Sequence, residues 1–228
     1  MSNYETIRQL VGLPRYEILG EQVVAITHGV TTDQLHYILE HEEIVPSRYW
    51  RITSLSINGY FNLFAYRDAI LVFDFEMLME KYHLSPVFYV PYIEEELRLE
   101  NYGLSPLNLF WEMEVFTRQR ISIYDVSEVI VVEEGGAIAV PSEIIEKLET
   151  YMIPTRIGSR EDAFFGENAT TVRYLLHLMR LANYPSLRVQ EPPKEVLQVV
   201  DKMNRDVARI FGLQDVYEHK IRPEYIRV

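Results

Sequence analysis

Along the chain, segments with apolar residues at strand spacing alternate with segments at helical spacing. Together they predict a mixture of strands and helices. Alternating or continuous apolar runs, rich in β-branched residues, predict strands at 22–27, 51–56, 69–73, 112–116 and 128–133. The run at 69–73 has no polar position, which is typical of a strand buried on both faces. Turns are predicted at Asn58-Gly59 and Gly135-Gly136, where the residue types favour a left-handed backbone.

Helical spacing of apolar residues predicts the remaining elements. The predicted helices cover 33–42, 75–82, 142–151, 168–181 and 193–211, after a short amphipathic stretch at 4–11. In the first of these, Leu35, Ile38 and Leu39 fall on one face, and Thr32 or Asp33 is the expected N-cap. Ser142 is the expected N-cap of the helix at 142–151.

The order of these elements predicts an α+β fold with three parts. Residues 1–20 form an N-terminal helical segment, and residues 21–158 form the core, in which strands and helices are mixed. After Pro154 the predicted elements are helical only, which marks residues 159–228 as a helical C-terminal extension.

Composition narrows the range of functions. The chain has 34 acidic and 22 basic residues, so its net charge of −12 repels phosphate backbones at long range and disfavours general nucleic-acid binding. The absence of cysteine excludes disulfides, zinc fingers, iron–sulfur clusters and a thiol nucleophile. His36 and His41 do not share a helix face, and no metal site is predicted.

Membrane and export signals are not found in the sequence. No apolar run reaches the length of about 18 residues that a spanning helix needs, and the residues after Met1 lack the pattern of a signal peptide. We therefore expect a soluble, cytoplasmic protein without a membrane partner, in the host cytoplasm if the protein is viral.

Three separated segments carry residues suited to chemistry on a nucleotide. In the first, His28 and Gly29 end a strand, and Thr31 precedes a helix. The second has serines at alternate positions of a strand and two aromatic residues after it, and the third has two glutamates at alternate positions of a strand. The residues of the second and third segments are Ser54, Ser56, Asn58, Tyr60, Phe61, Glu112 and Glu114.

These residue types suit a nicotinamide dinucleotide. Gly29 has no side chain, so its backbone can lie close to a carboxamide, and His28 can donate to a ribose hydroxyl. Aromatic rings can stack on the nicotinamide plane, and a strand carboxylate can stabilise positive charge as the glycosidic bond loosens. The chain contains no Gly-x-Gly-x-x-Gly and no P-loop, which excludes the usual Rossmann and Walker phosphate sites.

The three segments resemble the motifs of the ADP-ribosyltransferase superfamily over roughly residues 25–154. His28-Gly29-Val30 is similar to the first motif of the branch that includes poly-ADP-ribose polymerases and DNA-targeting toxins. Thr53-Ser-Leu-Ser56 resembles the Ser-x-Ser element of the arginine-directed branch. Glu112-Met-Glu114 resembles the Glu-x-Glu motif, in which the second glutamate is catalytic.

The resemblance implies split antiparallel β-sheets flanked by helices, and a mono-ADP-ribosyltransferase of phage or toxin type. Such an enzyme cleaves NAD at the nicotinamide–ribose bond and transfers ADP-ribose to a protein or nucleic-acid acceptor, with NAD as substrate and no metal. Glu114 would stabilise the cationic ribose, Glu112 would orient the acceptor, and His28 would complete the catalytic set. The NAD-binding residues would be His28, Gly29, Thr31, Ser54, Ser56, Asn58, Tyr60 and Phe61.

Three alternatives remain open at this point. Val30 stands where the family usually has Thr or Ser, and Thr27 where it often has Tyr or Trp, so the chain could be a catalytically inactive copy with a binding, inhibitory or structural role, including a viral one. The motifs could also be coincidental in an unrelated α+β domain. Residue by residue, His28 could be an ordinary hydrogen-bonded histidine, and the glutamates a solvated strand face.

Overall fold

The chain is described by a computed structural model over residues 16–49, 51–59, 67–89, 110–163, 165 and 194–212, with the backbone alone described at 87–89, 110–113, 194–197, 200 and 201. Twelve strands, four α-helices and two 3₁₀ turns occur within these ranges.

In chain order, the first half contains the strands β1 to β6 and the helix α1. These elements are β1 (Glu17–Ile18), β2 (Glu21–Gln22), β3 (Ala25–Val30), α1 (Thr32–His41), β4 (Glu43–Ile44), β5 (Thr53–Ile57) and β6 (Ala69–Asp74). The second half continues with α2 (Phe75–Lys81), β7 (Ser85–Tyr89), β8 (Phe110–Thr117), β9 (Ile121–Ser122), β10 (Glu128–Glu134), β11 (Ala137–Ile138), α3 (Ser142–Thr150), β12 (Thr155–Gly158) and α4 (Lys194–Ile210). The 3₁₀ turns are Ile123–Asp125 and Arg160–Ala163.

Eight of the strands form one mixed but mainly antiparallel sheet. Its order is β11-β10-β6-β3-β5-β8-β7, and β12 pairs in parallel with β10. The two remaining pairs, β1 with β2 and β4 with β9, are short antiparallel ladders outside this sheet. The strand β3 therefore lies in the interior of the sheet, with β6 on one side and β5 on the other.

The two faces of the sheet carry two different cores. Alternate residues of the strands pack against the helices in the larger core, which includes Ile26, Leu71 and Phe73. The intervening residues, such as Ile70 and Val72, form a smaller core that the segment with Ala163 and Phe165 covers. Because both faces of β6 are covered, all its residues from Ala69 to Phe73 are buried, which confirms the prediction from its continuous apolar run.

Other sequence predictions are confirmed at the level of elements. Mixed helices and antiparallel sheet agree with the predicted α+β class. Leu35, Ile38 and Leu39 are buried on one face of α1, and the left-handed backbone of Asn58, Gly59, Gly135 and Gly136 forms the two predicted turns. The helix α4 also packs on the larger core through Met203 and Val207, so this part of the C-terminal extension adds to the core.

Several boundaries and caps differ from the prediction. The strand predicted at 22–27 lies at Ala25–Val30 instead, and it includes His28 and Gly29 near its end. Thr31, not Thr32 or Asp33, caps α1, because it alone precedes the first helical turn and its hydroxyl accepts from the Gln34 N–H. Pro141 is the N-cap residue of α3, and Ser142 is already helical. The predicted elements at 4–11 and 168–181 lie outside the described residues.

Among the helices of the described ranges, none combines the length and the apolar character needed to cross a membrane.

Candidate functional site

The three strands that carry the sequence motifs are neighbours in the sheet. The strand β5, with the serines, lies between β3, with His28, and β8, with the glutamates. Their register aligns Thr27 with Ser56 and Ser56 with Glu114. Since aligned residues of adjacent strands point to the same side, Thr27, Ser56 and Glu114 form one row on one face. We call this row, together with Ser54 on the same face, the serine–glutamate face.

The pairing between β3 and β5 is short. Its register includes Ile26 with Ile57 and Thr27 with Ser56, and it does not extend to the last residues of β3 or to the first residues of β5. One residue further along β3, the imidazole Nδ1 of His28 lies 2.8 Å from the Ser54 carbonyl oxygen. A side chain therefore connects the two strands where their backbone ladder has ended.

His28 reaches this position from the other side of the sheet. It aligns with Leu71 of β6, whose side chain lies in the larger core, so strand alternation directs its Cβ away from the serine–glutamate face. The resemblance implied that His28, Ser54 and Glu114 act on the same NAD molecule. The register brings the serine and the glutamate together and leaves His28 at the gap between β3 and β5.

The protonation state of His28 follows from its surroundings. Burial lowers the pKa of the imidazole below its ordinary value of 6.5; the hydrogen bond to Ser54 raises it in part, and the charge of Arg67 lowers it again. The ring is therefore neutral at pH 7. Because a carbonyl oxygen only accepts, the single proton is on Nδ1, and Nε2 carries a lone pair. At neutral pH His28 can accept a hydrogen bond from a ligand hydroxyl, whereas the sequence-based expectation was that it donates.

The serine–glutamate face contains a buried polar atom without a partner. The Oγ of Ser54 is buried and makes no hydrogen bond within the described part of the chain. A buried hydroxyl without a partner costs free energy, and such atoms often mark a place where a ligand or water binds. Ser56 is buried beside it, and Glu114 is half-buried. Ser56 and Glu114 both make further interactions. Of the two serines, therefore, only Ser54 has a hydroxyl without a partner in the described part of the chain.

Gly29 is required by a neighbouring side chain. A Cβ at this position would lie 2.5 Å from Cγ of Arg67, so the aliphatic part of Arg67 occupies the space above the glycine. The Nε of Arg67 also donates to the Gly29 carbonyl at 3.1 Å. The sequence predicted that this backbone is open to a ligand, but in the structure Arg67 covers it.

Two of the residues predicted to bind NAD have structural roles that account for them. Thr31 and Gln34 form a reciprocal capping box at the start of α1. The Asn58 side chain accepts from the backbone N–H groups of Val24 and Ala25 and donates to the Gln22 carbonyl, which fixes the turn after β5. Neither side chain needs a ligand to satisfy its hydrogen bonds.

The remaining three predicted residues lie partly or wholly outside the described set. Glu112 lies in β8 two positions before Glu114, and its side chain is outside the described set. Tyr60 and Phe61, predicted to stack on nicotinamide, lie outside the described residues.

The structure adds two residues that the sequence did not indicate, Arg67 and Asp68. Asp68 accepts hydrogen bonds from the N–H and the hydroxyl of Thr32, which holds the start of α1 against the beginning of β6. Both additional residues come to the site because β6 runs antiparallel to β3, with Ala69 opposite Val30. A correct pairing of the two predicted strands would have revealed them, since residues just before β6 must then meet residues at the end of β3.

Compared with known proteins, the chain matches no protein-family model and no curated protein sequence.

Proposed function

We propose that this chain is an NAD-dependent mono-ADP-ribosyltransferase, which breaks the nicotinamide–ribose bond of NAD and transfers ADP-ribose to a macromolecule. One observation carries the proposal: the strands with the serine and glutamate motifs are adjacent, and Ser56 stands directly opposite Glu114. The motif residues are separated by more than fifty positions in the chain, and their alignment on one face supports a shared role.

The proposed chemistry depends on one negative charge. When the bond between ribose C1′ and the nicotinamide nitrogen breaks, its electron pair leaves with neutral nicotinamide, and positive charge develops on the ribose. The half-buried carboxylate of Glu114 would stabilise that charge, because a fixed group in a partly dry site needs no reorganisation. The acceptor then bonds to C1′ and loses a proton, and Glu112 is proposed to orient it.

Two polar groups support a contact with NAD: Ser54 on the serine–glutamate face, and His28, which reaches the gap between β3 and β5 from the other face. The orphaned hydroxyl of Ser54 would gain a partner from a polar ligand on the serine–glutamate face. At the gap between β3 and β5, the Nε2 lone pair of neutral His28 suits a ribose hydroxyl, which can donate to it. On the nicotinamide side, a carboxamide would have to replace Arg67 above Gly29 and take over its hydrogen bond to the Gly29 carbonyl.

The contact between Arg67 and Gly29 favours a second candidate function. If Arg67 keeps its place, the backbone of Gly29 is closed to nicotinamide, and the same fold would serve as a binding, inhibitory or structural protein without catalysis. The two candidates differ in whether NAD binds, and in whether nicotinamide is released.

Replacing Glu114 with Gln tests the enzyme proposal. The amide keeps the shape of the side chain and loses the charge, so turnover should fall by about 10²–10³ while NAD affinity changes little. The measurement is nicotinamide release, together with incorporation of labelled ADP-ribose into a cell lysate. Glu133→Gln is the matched control, because Glu133 is an exposed carboxylate on the same sheet, in β10, and should leave the rate unchanged.

Two results would contradict the proposal in different ways. If the wild-type protein releases no nicotinamide and NAD does not raise its melting temperature, the enzyme proposal fails and the second candidate stands. If Glu114→Gln keeps full activity, the reaction is present but its central residue has been assigned wrongly. A control that loses as much activity as Glu114→Gln would mean that the loss is not specific to the site.

A further inference from the structure

A concave region lies at the edge of the sheet where β5 begins and β8 ends. It is a cleft of about 620 Å³, lined by Pro46, Ser47, Arg48, Arg51 and Arg118. Its size falls within the range of about 300–1,000 Å³ that is usual for small-ligand sites. Arg118 follows the last residue of β8, Thr117, which lies three residues from Glu114, or about 10 Å along the strand. The cleft is therefore separate from Glu114.

The end of one strand ladder brings the three arginines together. The last aligned pair of β5 and β8 at this edge is Thr53 with Thr117. Arg51 comes shortly before the first of these residues and Arg118 directly after the second, so both lie at the same edge of the sheet. Arg48 belongs to the same loop as Arg51, and this places it on the same cleft.

Its own hydrogen bonds hold the loop in shape. The Ser47 N–H donates to the Ile52 carbonyl at 2.9 Å, and the Arg51 N–H donates to the Ser47 carbonyl at 2.7 Å. Arg51 has a φ of 54°, which places a non-glycine residue in the left-handed region where the turn closes. These two hydrogen bonds link the ends of the segment that carries Arg48 and Arg51.

Within the described ranges, no carboxylate neutralises the three arginines of this cleft. Arg48, Arg51 and Arg118 are exposed, and their guanidinium groups make no ion pair or hydrogen bond within the described ranges. Other arginines do have carboxylate partners: Arg120, Arg156, Arg160 and Arg209 pair with Glu43, Glu128, Glu134 and Asp206. The chain has 34 acidic residues, yet these three neighbouring arginines have no carboxylate partner among the described residues. They form a local positive site on a protein of negative net charge.

Guanidinium groups stay charged at neutral pH, so a cluster of them favours a bound anion. Their planar fork matches the oxygens of phosphate, to which arginine binds with two parallel hydrogen bonds. On the same loop, Tyr49 follows Arg48 directly and is 91% exposed. A ring next to a phosphate-binding group is suited to stacking on a base. The net charge of −12 repels a long polyanion, which favours a short ligand with few phosphates.

We propose that this cleft is a binding site for the diphosphate group of a small nucleotide, with Arg48, Arg51 and Arg118 as its ligands. The proposal rests on the arginine cleft alone and does not depend on the ADP-ribosyltransferase function. Its three charges can be tested separately from Glu114.

Calorimetric titration of the full chain with inorganic pyrophosphate, a nucleoside diphosphate and a short single-stranded oligonucleotide tests the site. Pyrophosphate and the nucleoside diphosphate should bind, the second more tightly if the Tyr49 ring stacks on its base. Arg118→Gln should weaken both by on the order of tenfold, because it removes a charge-assisted hydrogen bond. Raising the salt concentration should weaken binding as well.

Arg120→Gln is the matched control. It removes the same charge two residues away, but its guanidinium is already paired with Glu43, so affinity should stay within about a factor of two. Because all four arginines are exposed, circular dichroism should show an unchanged fold in each variant.

The proposal is overturned if neither pyrophosphate nor the nucleoside diphosphate binds at millimolar concentration, or if Arg118→Gln binds as well as Arg120→Gln. Preferential binding of the oligonucleotide would also overturn it, in favour of a nucleic-acid surface. None of these results depends on whether nicotinamide is released, so they leave the proposed function to its own test.

Discussion

The two sides of β3 differ sharply. Towards β6, every residue from Ala25 to Val30 has an aligned partner, from Asp74 to Ala69. Towards β5, the register includes two pairs, and a histidine side chain then bridges the strands. One strand thus belongs to a continuous, apolar part of the sheet on one side and to an interrupted, polar part on the other.

The difference follows from the residues of the neighbouring strands. β6 is apolar at five successive positions, and both of its faces are covered by packed side chains. β5 places Ser54 and Ser56 on one face, and among the described residues neither belongs to the apolar core that Ala163 and Phe165 join on β6. The comparison teaches that the candidate site lies where polar side chains replace the apolar core, next to the point at which the β3–β5 ladder ends.

The largest expected effect is on the continuous side of β3. Leu71 is fully buried in β6 opposite His28, so Leu71→Ala should lower the free energy of unfolding by about 2–5 kcal/mol. Urea denaturation followed by circular dichroism measures it. The comparison would be weakened if Leu71→Ala cost less than about 1 kcal/mol, because that side would then be no more tightly packed than the other.

The next effect is a pH dependence at the gap. Because the pKa of His28 is lowered in the folded state, the unfolded chain binds a proton first as the pH falls below 6.5. Stability contributed by the neutral ring is therefore complete above 6.5 and is lost from there down towards the lowered pKa. In His28→Asn, whose amide can still donate to the Ser54 carbonyl, this part of the pH dependence should disappear.

Urea denaturation at a series of pH values between about 7.5 and 5 would measure the difference. The control is His83→Asn, because His83 is an exposed histidine after α2 and lies away from the gap. If the wild type and His28→Asn lose stability in parallel over this range, His28 is not the group that titrates.

The sequence predicted the continuous side of β3 well and the interrupted side poorly. A run such as Ala69–Phe73 can be interpreted locally, because five apolar residues in succession require burial on both faces. The serine and glutamate strands were also found, since alternation is a local pattern. The end of the β3–β5 ladder could not be predicted, because it depends on the register of strands from different parts of the chain.

Two further elements show the same limit. No strand was predicted at Ser85–Tyr89, which contains Pro86, yet β7 is the last strand of the sheet, where a missing N–H on the outer side is tolerated. Only helices were predicted after Pro154, yet β12 follows it and pairs in parallel with β10. No turn motif in the local sequence indicates this pairing. The arginine cleft was missed for a related reason, because Arg118 joins Arg48 and Arg51 only through the pairing of β5 with β8.

The smallest effect on stability is expected for two adjacent residues of β5. Thr53 and Ser54 each have a buried hydroxyl without a hydrogen-bond partner within the described ranges, and alternation directs the two side chains to opposite faces. Removing such a hydroxyl removes its desolvation penalty, so Thr53→Val and Ser54→Ala should each change the free energy of unfolding by less than about 1 kcal/mol, or raise it. Urea denaturation measures both.

The pair separates a packing role from a ligand role. If NAD binds on the serine–glutamate face, Ser54→Ala should weaken it by up to about tenfold, the equivalent of one hydrogen bond of about 0.5–1.5 kcal/mol. Thr53→Val also removes a buried hydroxyl, but from the opposite face of β5. It should therefore leave the affinity for NAD unchanged. The shift of the melting temperature with NAD concentration gives both affinities. Equal affinities in the two variants would mean that the orphaned hydroxyl of Ser54 does not contact NAD, and that the polar side of β3 needs another explanation.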